Sequence, residues 1–422
     1  MTGQIAFVPH SWGLSHVGRS LLVARELQRR GYPVLFCGDG PLVGPEGSLV
    51  RRGGVPVAPL ADMEMHRVLV NGFGFHTRES LRRLVNAELA LIGEISPRLI
   101  VSDYRPSVHV SAAIARVPVA TLINACYTHF WGDRITPPLE HPVTVRVTRL
   151  LGRTLGMAVL RQLAPRIAQG IFRKDAEIYN ELLGEHGLPP HADIKRLFEG
   201  SLATFLVDGP PWVKLARNLP DRVHVPGPLY WSADPAPGWD DGIPEDLPWI
   251  YLSAGSTANP EVFPALWREL ADLPYRFVMA SAGLALPDGM PPNVTVRPFL
   301  PAPAAMARSR LAIINGGPSV YQACTTRTPM LVVAMRGDQE WNSRDLERFG
   351  VGRAIHCRHA IDRPGYLRGT IGAMLADAAR YAPGLAALSG QMDARPAVER
   401  VADWIGAAYE RLGAAAAEKV IA

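Results

Sequence analysis

Short apolar runs alternate with amphipathic segments along the first half of the chain. QIAFVPH (4–10) is followed by HVGRSLLVARELQRRG (16–31), whose apolar residues recur at helical spacing, and then by YPVLFCG (32–38). This order predicts a strand–helix–strand unit, and such units build parallel sheets with right-handed crossovers. Two more buried strands are predicted at PRLIVSD (97–103) and VPVATLINA (117–125). The first half is therefore expected to form a parallel sheet.

A second series of apolar runs begins near residue 247. It predicts five strands, at 247–256, 275–281, 294–301, 311–316 and 329–335. The stretch that precedes it, 225–248, is rich in Pro, Gly and Asp and is typical of a linker. The last amphipathic pattern, AVERVADWIGAAYERL (397–412), predicts a helix that docks across both halves.

The predicted organisation is two α/β domains, because one core rarely extends over 422 residues. Each domain is expected to be a Rossmann-like parallel sheet, and the two are expected to face each other across a cleft. The boundaries are 1–224 for the first domain, 225–248 for the linker, 249–396 for the second domain and 397–422 for a helix crossing back to the first.

Composition narrows the classes of function. The formal net charge is +5, and no basic-aromatic module appears, so nucleic acid is not an expected partner. No apolar stretch reaches the roughly 18 residues of a membrane-spanning helix, and the N-terminus lacks the basic region of a secretory signal. The 4 cysteines lie far apart and not at metal-ligand spacing, which favours free core thiols in a reducing cytosol. We therefore expect a cytoplasmic protein.

The loop after the first strand offers His10, His16 and Arg19, but no G-x-G-x-x-G for a dinucleotide. Asp103 ends another strand of the same predicted sheet, so its carboxylate and His16 can meet at one edge. A carboxylate that holds one imidazole nitrogen leaves the other free as a general base. The alternatives are a structural histidine and an Asp that caps the next helix.

The second half offers four strand-end loops of small and polar residues. They are SAGST (253–257), FLP (299–301), NGGPS (315–319) and GDQ (337–339). Glycine allows the backbone close to a ligand, and backbone N–H groups beside Ser319 suit a phosphate or diphosphate. A glycine pair alone is often only a tight turn. Four such loops at one edge favour a binding site.

These motifs resemble the GT-B-fold nucleotide-sugar glycosyltransferases of family 1, especially the bacterial natural-product enzymes of antibiotic biosynthesis. The resemblance runs through the whole chain, and its most specific part is VRPFLPAPAAMARSRLAIINGGPSVYQACTTRTPMLVVAMRGDQEWNSRDLERFGVG (296–352). Order and spacing agree there with a family pattern of a turn, a short helix, a strand, a His-Gly-Gly-type loop and an Asp-Gln pair.

The resemblance implies roles for individual positions. His16, in LSHVGR, matches the base that deprotonates the acceptor, and Asp103 matches the acid that orients it. The implied donor-phosphate residues are Ser256, Thr257, Asn315, Gly316, Gly317 and Ser319. The implied base or ribose contacts are Phe299, Leu300, Pro301 and Gln322, and those to the donor sugar are Asp338 and Gln339. The acceptor cleft is expected to include His10, Trp12, Arg19, Tyr127, His129 and Trp131.

Two departures from the family pattern concern the donor loop. The loop is one residue shorter than the family pattern, so Asn315 or Ile314 stands where the family has a phosphate-binding His. If the gap falls just after the glycines, Asn315 takes that place and Gln322 replaces the Glu that commonly holds the ribose. Asn donates a neutral hydrogen bond, so one charge-assisted contact worth on the order of 1 kcal/mol is missing. Backbone N–H groups can supply the remaining donors.

The resemblance implies an inverting hexosyltransferase that moves a sugar from a UDP- or TDP-sugar to a hydroxyl of a small-molecule acceptor. No cofactor and no metal requirement is expected, and a monomer or a homodimer is left open. Three alternatives remain open: a transferase for a lipid-linked or anionic acceptor at a membrane surface, a nucleotide-sugar epimerase, and a non-catalytic glycosyltransferase-like activator.

A basic stretch at 142–174 bears on the first alternative. It contains 7 Arg or Lys residues and no acid, and Arg146, Arg149 and Arg153 share one helix face if the segment is helical. An ordinary surface helix whose arginine stems cover the core would explain this pattern. Weak peripheral contact with an anionic membrane is the alternative.

Overall fold

The computed structural model describes residues 3–44, 48–63, 74–133, 135–136, 139, 142–209, 213–256 and 258–421. Within these ranges, the side chains of 142, 153 and 416–421 are not described. Two parallel sheets form the centre of the molecule, and each is built from one of the two series of apolar runs.

The first sheet has 7 strands in the order β3-β2-β1-β4-β5-β6-β7. The strands are β1 Ile5–Pro9, β2 Val34–Cys37, β3 Val57–Ala58, β4 Leu99–Asp103, β5 Val119–Ile123, β6 Ala203–Leu206 and β7 Val223–His224. The helices of this half are α1 Leu14–Arg29, α2 Leu49–Arg52, α3 Arg78–Ile95, α4 Pro106–Ala115, α5 Pro142–Leu151, α6 Arg153–Glu185 and α7 Ile194–Leu197. All its strand pairs are parallel.

The second sheet has 6 strands in the order β10-β9-β8-β11-β12-β13, again all parallel. The strands are β8 Trp249–Ser253, β9 Arg276–Ala280, β10 Val294–Arg297, β11 Ala312–Ile314, β12 Met330–Ala334 and β13 Gly352–His356. The helices are α8 Val262–Leu270, α9 Ala302–Ala307, α10 Ser319–Thr325, α11 Gly337–Asn342, α12 Cys357–Asp362, α13 Tyr366–Ala376, α14 Ala382–Ser389 and α15 Arg395–Ile421.

The predicted fold class is confirmed: two Rossmann-like parallel sheets carry their helices and face each other across a cleft. The long helix α15 packs on the first sheet's side, although it follows the second sheet in sequence. Val401 and Ile405 of α15 are fully buried in one apolar cluster with Phe7 and Leu21. The chain therefore returns to its first half, because that burial removes the apolar stripe of the helix from water.

Arg146, Arg149 and Arg153 do not share one helix face, because 142–174 is divided between two helices. Gly152, at φ +75°, ends α5, and α6 begins at the next residue. That backbone conformation is readily available to glycine and interrupts the helical hydrogen-bond ladder. Arg153 therefore starts a new helix and does not continue the face of Arg146 and Arg149. No helix in the described ranges is long and apolar enough to cross a membrane.

Candidate active site

His16 and Asp103 meet at the carboxyl edge of the first sheet. His16 lies in the first turn of α1, directly after β1, and Asp103 is the last residue of the neighbouring strand β4. His16 Nδ1 lies 2.7 Å from Asp103 Oδ1. His16 lines the cavity between the sheets, and its side chain is 16% exposed. Nδ1 is thus engaged, and no hydrogen bond ties Nε2 to the described residues.

The Asp103 carboxylate is also held by the guanidinium of Arg19, one turn along α1. Arg19 donates through Nε to Oδ2 and through Nη2 to Oδ1, at 2.5 and 2.6 Å. Both side chains are almost completely buried, at 1% and 0% exposed. Arg19 Nη1 also donates to Asn124 Oδ1 at 3.0 Å. A buried carboxylate with two cationic or donor partners has its charge balanced and its orientation fixed.

The pKa values of the pair follow from burial and charge. Burial lowers the pKa of His16 below its usual value, because the attraction of Asp103 only partly offsets desolvation of the imidazolium. Burial alone would raise the pKa of Asp103, but Arg19 and His16 outweigh it and the pKa lies below its usual value. At neutral pH the pair is therefore a neutral imidazole beside a carboxylate.

The imidazole of His16 is positioned by packing as well. It stacks on the ring of Tyr104, with the ring centroids 4.9 Å apart and the planes 10° from parallel. On the other side lies Gly13, where a Cβ would stand 2.7 Å from His16 Cδ2. A glycine is required there, because any side chain would push the ring from its place.

Two of the strand-end loops of the second sheet, those of Gly255 and Asn315, approach each other very closely. Gly255 has φ +78°, and a Cβ at this residue would stand 2.2 Å from Asn315 Nδ2. Asn315 Oδ1 accepts from the backbone N–H of Gly317 at 3.2 Å. Ser256, Asn315, Gly316, Gly317 and Ser319 all line the cavity, and the buried Ser319 Oγ has no hydrogen-bond partner in the described residues. Thr257 lies outside the described residues.

Of the residues expected to contact the nucleotide base or ribose, some line the cavity and one does not. Phe299 and Leu300 line the cavity, whereas Pro301 precedes α9 and is not among the described lining residues. Gln322 lines it too, but its Nε2 donates to the carbonyl of Trp231 at 3.0 Å. That bond leaves the Gln322 Oε1 as the atom free to accept.

Asp338 and Gln339 lie in the first turn of α11 and line the cavity. Gln339 Oε1 accepts from the backbone N–H of Met335 at 2.8 Å, so half of this amide supports the loop. The N-cap of α11 is Arg336, and no side-chain capping hydrogen bond is formed there among the described residues. Burial raises the pKa of Tyr127, and the negative charge of Asp338 adds to the effect. Asp338 and Tyr127 therefore lie near enough, on the wall of one cavity, for the charge of one to affect the other.

The structure brings together some of the expected acceptor residues and excludes others. His10, Arg19, Tyr127 and Trp131 line the cavity. Trp12, 45% exposed, and His129 are not among the described lining residues. His129 is instead held between Asp193 and Glu199, with both N–O distances 2.9 Å. The two carboxylates hold the His129 imidazole in ion pairs. His129 is therefore not placed in the cleft as expected.

Several cavity residues were missed by reasoning from sequence. Tyr104 follows Asp103 directly, and Asp208 follows β6 in the same strand-end position, which a systematic search for strand-end acids would have found. Trp341 is two residues beyond the Asp-Gln pair. Trp231 lies inside the stretch that was predicted to be a linker. The adjacent aromatic pair Tyr230 and Trp231 was the available sign that this stretch contributes to a site. No group of three His, Cys, Asp or Glu side chains in the described ranges could hold a metal ion.

Known proteins resemble the chain both in sequence and in structure. No protein-family model matches it. A PGL/p-HBAD biosynthesis glycosyltransferase of Mycobacterium tuberculosis is 31% identical over 359 residues, which are 83% of this chain and 80% of the relative. A PGL/p-HBAD biosynthesis rhamnosyltransferase of Mycobacterium bovis is 30% identical over 362 residues, 83% of this chain and 76% of the relative.

Solved structures share the architecture. CalG4, the calicheamicin glycosyltransferase, matches with a TM-score of 0.64 at 21% identity, covering 97% of this chain and 99% of that one. The spinosyn rhamnosyltransferase SpnG, solved with thymidine diphosphate, matches with a TM-score of 0.61 at 16% identity, covering 95% and 100%. These likenesses confirm the GT-B fold, and the sequence relationship confirms a glycosyltransferase. The chain belongs to the family of PGL/p-HBAD biosynthesis glycosyltransferases.

Proposed function

We propose that this glycosyltransferase moves a sugar from a UDP- or TDP-sugar to a hydroxyl of a small-molecule acceptor, with inversion and with His16 as the general base. The observation that carries the proposal is the 2.7 Å contact between His16 Nδ1 and Asp103. It leaves Nε2 accessible at a cavity whose opposite wall is formed by glycine-rich loops of the second sheet. A base and a binding cradle on two facing walls suit transfer between two substrates.

The reaction needs one proton transfer and one displacement. The acceptor hydroxyl gives its proton to His16 Nε2 while its oxygen forms a bond to the anomeric carbon. The bond from that carbon to the diphosphate oxygen breaks, and the nucleoside diphosphate leaves from the opposite face. Asp103 stabilises the imidazolium that forms, and Arg19 keeps Asp103 ionised and in place. A single displacement inverts the anomeric centre, and no described residue is assigned to a metal.

The donor is assigned to the second half of the chain and the acceptor to the first. We assign the diphosphate to the loop around Gly316 and Gly317 within residues 249–396, and to the Ser319 hydroxyl, which has no hydrogen-bond partner among the described residues. Asp338 and the Nε2 of Gln339 are assigned to the sugar hydroxyls. TDP as the nucleotide and rhamnose as the sugar are supported by SpnG, solved with thymidine diphosphate, and by the M. bovis rhamnosyltransferase. We place the reaction in the cytoplasm, where nucleotide sugars are available.

The first test is His16→Ala, assayed for sugar transfer to an alcohol or phenol acceptor with UDP- and TDP-sugars. We expect kcat to fall about 10²- to 10⁴-fold, the usual cost of removing a general base, while binding of the nucleoside diphosphate is nearly unchanged. The matched control is His186→Ala, which changes an exposed histidine at the end of α6. Near-normal turnover by His16→Ala would refute the assignment.

The same assay separates the alternatives. Epimer formation without an acceptor would identify an epimerase. A protein that forms no epimer, does not hydrolyse the donor and transfers no sugar would be a non-catalytic activator.

The pH profile is a second test of the base. Because burial lowers the pKa of His16, the acid limb of kcat/KM should lie below pH 6.5. A limb well above that value would assign the base to another group.

A further inference from the structure

Exposed apolar residues are concentrated in one part of the molecule. In the described ranges, 9 large hydrophobic residues are exposed, and 6 of them lie between positions 143 and 163. They are Val143, Val145, Leu150, Leu151, Leu155 and Leu163. Isolated exposed apolar residues are ordinary, but a concentration of this kind marks an interaction surface.

These residues belong to a helical hairpin formed by α5 and the first half of α6. The two helices meet at Gly156, where a Cβ would stand 2.8 Å from Thr148 Cα. Gly152 turns the chain between them. Leu150, Leu151 and Leu155 lie around this turn and are 82%, 45% and 58% exposed. We call these three leucines, with Arg146 and Arg149, the hairpin tip.

From Leu160 onward, α6 has residues that are buried in the body of the molecule. Phe172, Tyr179 and Leu183 are buried in the cluster that also contains Tyr104 and Phe198. The leucines of the hairpin tip precede this buried stretch and belong to none of the apolar clusters that the described residues form. The intramolecular core therefore does not explain why the tip is apolar.

The charge of the hairpin is of one sign. Arg146, Arg149, Arg161, Arg166, Arg173 and Lys174 are all exposed, and the stretch 142–174 contains no acid. None of these six side chains forms an ion pair with a described residue. Leucines at the end of a hairpin with unpaired cations beside them are the pattern of an interfacial membrane contact, in which apolar groups insert among acyl chains and cations meet anionic headgroups.

We propose that the hairpin tip docks on the surface of a bilayer that contains anionic lipids. A second copy of this chain fits the surface less well, because two-fold pairing would set the same cations face to face. The position of the hairpin gives the contact a use: α5 follows the segment that contributes Trp131 and Asp133 to the cavity wall. Docking would bring the cavity close to an acceptor held in the bilayer by a lipid chain.

This inference does not depend on the role of His16, and its test measures binding instead of turnover. The full chain is sedimented with vesicles of phosphatidylcholine alone and of phosphatidylcholine with phosphatidylglycerol, at low and high salt. We expect binding to the anionic vesicles only, and weaker binding at high salt because salt screens the attraction. Leu150, Leu151 and Leu155, all changed to Ser, should reduce the bound fraction at least tenfold.

The charged part of the tip is tested separately with Arg146→Gln and Arg149→Gln together. We expect a loss of about five-fold per residue, since each basic residue near such a surface contributes about 1 kcal/mol. The matched controls are Arg51→Gln with Arg52→Gln, two exposed arginines elsewhere, and Met290→Ser, an exposed apolar residue outside the hairpin. The controls should bind vesicles as the wild type does, and circular dichroism should show native helix content in every variant.

Several outcomes would overturn the proposal. One is wild-type protein that stays in the supernatant with anionic vesicles at low salt. Another is equal loss of binding in the tip and control variants, which would indicate a non-specific attraction of the whole basic protein. A third is a change of oligomeric state in the leucine variant, measured by light scattering, without vesicle binding by the wild type; this would assign the surface to a second copy of the chain.

Discussion

The carboxyl edges of the two sheets form opposite walls of one cavity, and the two walls carry different kinds of groups. At the edge of the first sheet, function is assigned to charged side chains that hold each other: His16, Asp103 and Arg19, with bonds of 2.5 to 2.7 Å. At the edge of the second sheet, Gly255, Asn315 and Gly316 bring backbone close to the cavity, and few charges are present. Proton transfer needs a fixed, charge-balanced base, whereas a polyanionic donor needs close access to N–H groups.

The first side should therefore respond to changes of charge, and the second side to changes of shape. The largest expected effect is that of Arg19→Met, which leaves the buried Asp103 carboxylate without its cation. Breaking a buried ion pair from one side costs about 3–5 kcal/mol of stability. Asn315→Ala, the comparison on the other side, should cost about 1 kcal/mol for one lost backbone hydrogen bond. Urea unfolding at pH 7 measures both, and equal losses would remove the contrast.

The second expected effect is at the edge of the second sheet and concerns shape alone. Gly316 has φ +85°, and a Cβ there would stand 2.8 Å from Val332 Cγ1 and 3.1 Å from the carbonyl of Gln339. Gly316→Ala should therefore lose about 2–3 kcal/mol, from backbone strain and overpacking. The neighbour Gly317 is a matched control, since its Cβ would meet only Asn315 Oδ1 at 3.4 Å. Thermal unfolding should show Gly317→Ala nearly unchanged; similar losses would show that the loop tolerates neither.

The third effect is the pH dependence of stability, which we expect to come from charged groups of the first half of the chain. Hydrogen bonds to Asp193 and Glu199 raise the pKa of His129 to about 9, well above the ordinary value of 6.5. The folded state thus binds the proton more tightly, and this stabilisation is complete below pH 6.5 and lost as pH rises through 9. The imidazole is one-third exposed, so solvent screening limits the effect to about 1–2 kcal/mol.

The measurement is urea unfolding at pH 6 and pH 9.5 for the wild type and for His129→Gln. The wild type should lose more stability over this interval than the variant, because Gln carries no titrating proton. A pH dependence that is the same in both proteins would mean that His129 is not the group responsible.

The last comparison separates recognition of the sugar, for which the smallest change of stability is expected, from support of the loop. Asp338→Ala should reduce discrimination among sugar donors while hardly changing stability or the affinity for free nucleoside diphosphate. Gln339→Ala should in addition lose about 1–3 kcal/mol of stability, since Met335 N–H loses its buried acceptor. Kinetics with several TDP- and UDP-sugars, and calorimetry with TDP, test this. Equal loss of affinity for the diphosphate and the nucleotide sugar in Asp338→Ala would mean that Asp338 serves the helix and not the sugar.

The alternation of apolar and amphipathic segments was sufficient to predict both sheets and most of their strands. Burial on both faces makes the strands of a parallel sheet continuous apolar runs, and these are visible locally. The strand-end position of His16 and Asp103 was predictable for the same reason, because the carboxyl ends of parallel strands share one edge. The short edge strands β3 and β7, with 2 residues each, were missed because so few residues carry no periodicity.

What the linear order of residues specified was therefore the sheets, the loops at their ends and the kind of chemistry in each loop. Which side chains pair was decided by packing. Arg19, expected in the acceptor cleft, turned out to hold Asp103, a residue 84 positions away. His129, also expected in the cleft, forms ion pairs with Asp193 and Glu199, and Gly152 separates Arg153 from the helix of Arg146 and Arg149. Periodicity is a property of neighbours in sequence, whereas ion pairing and burial depend on distances that exist only once distant segments have packed together.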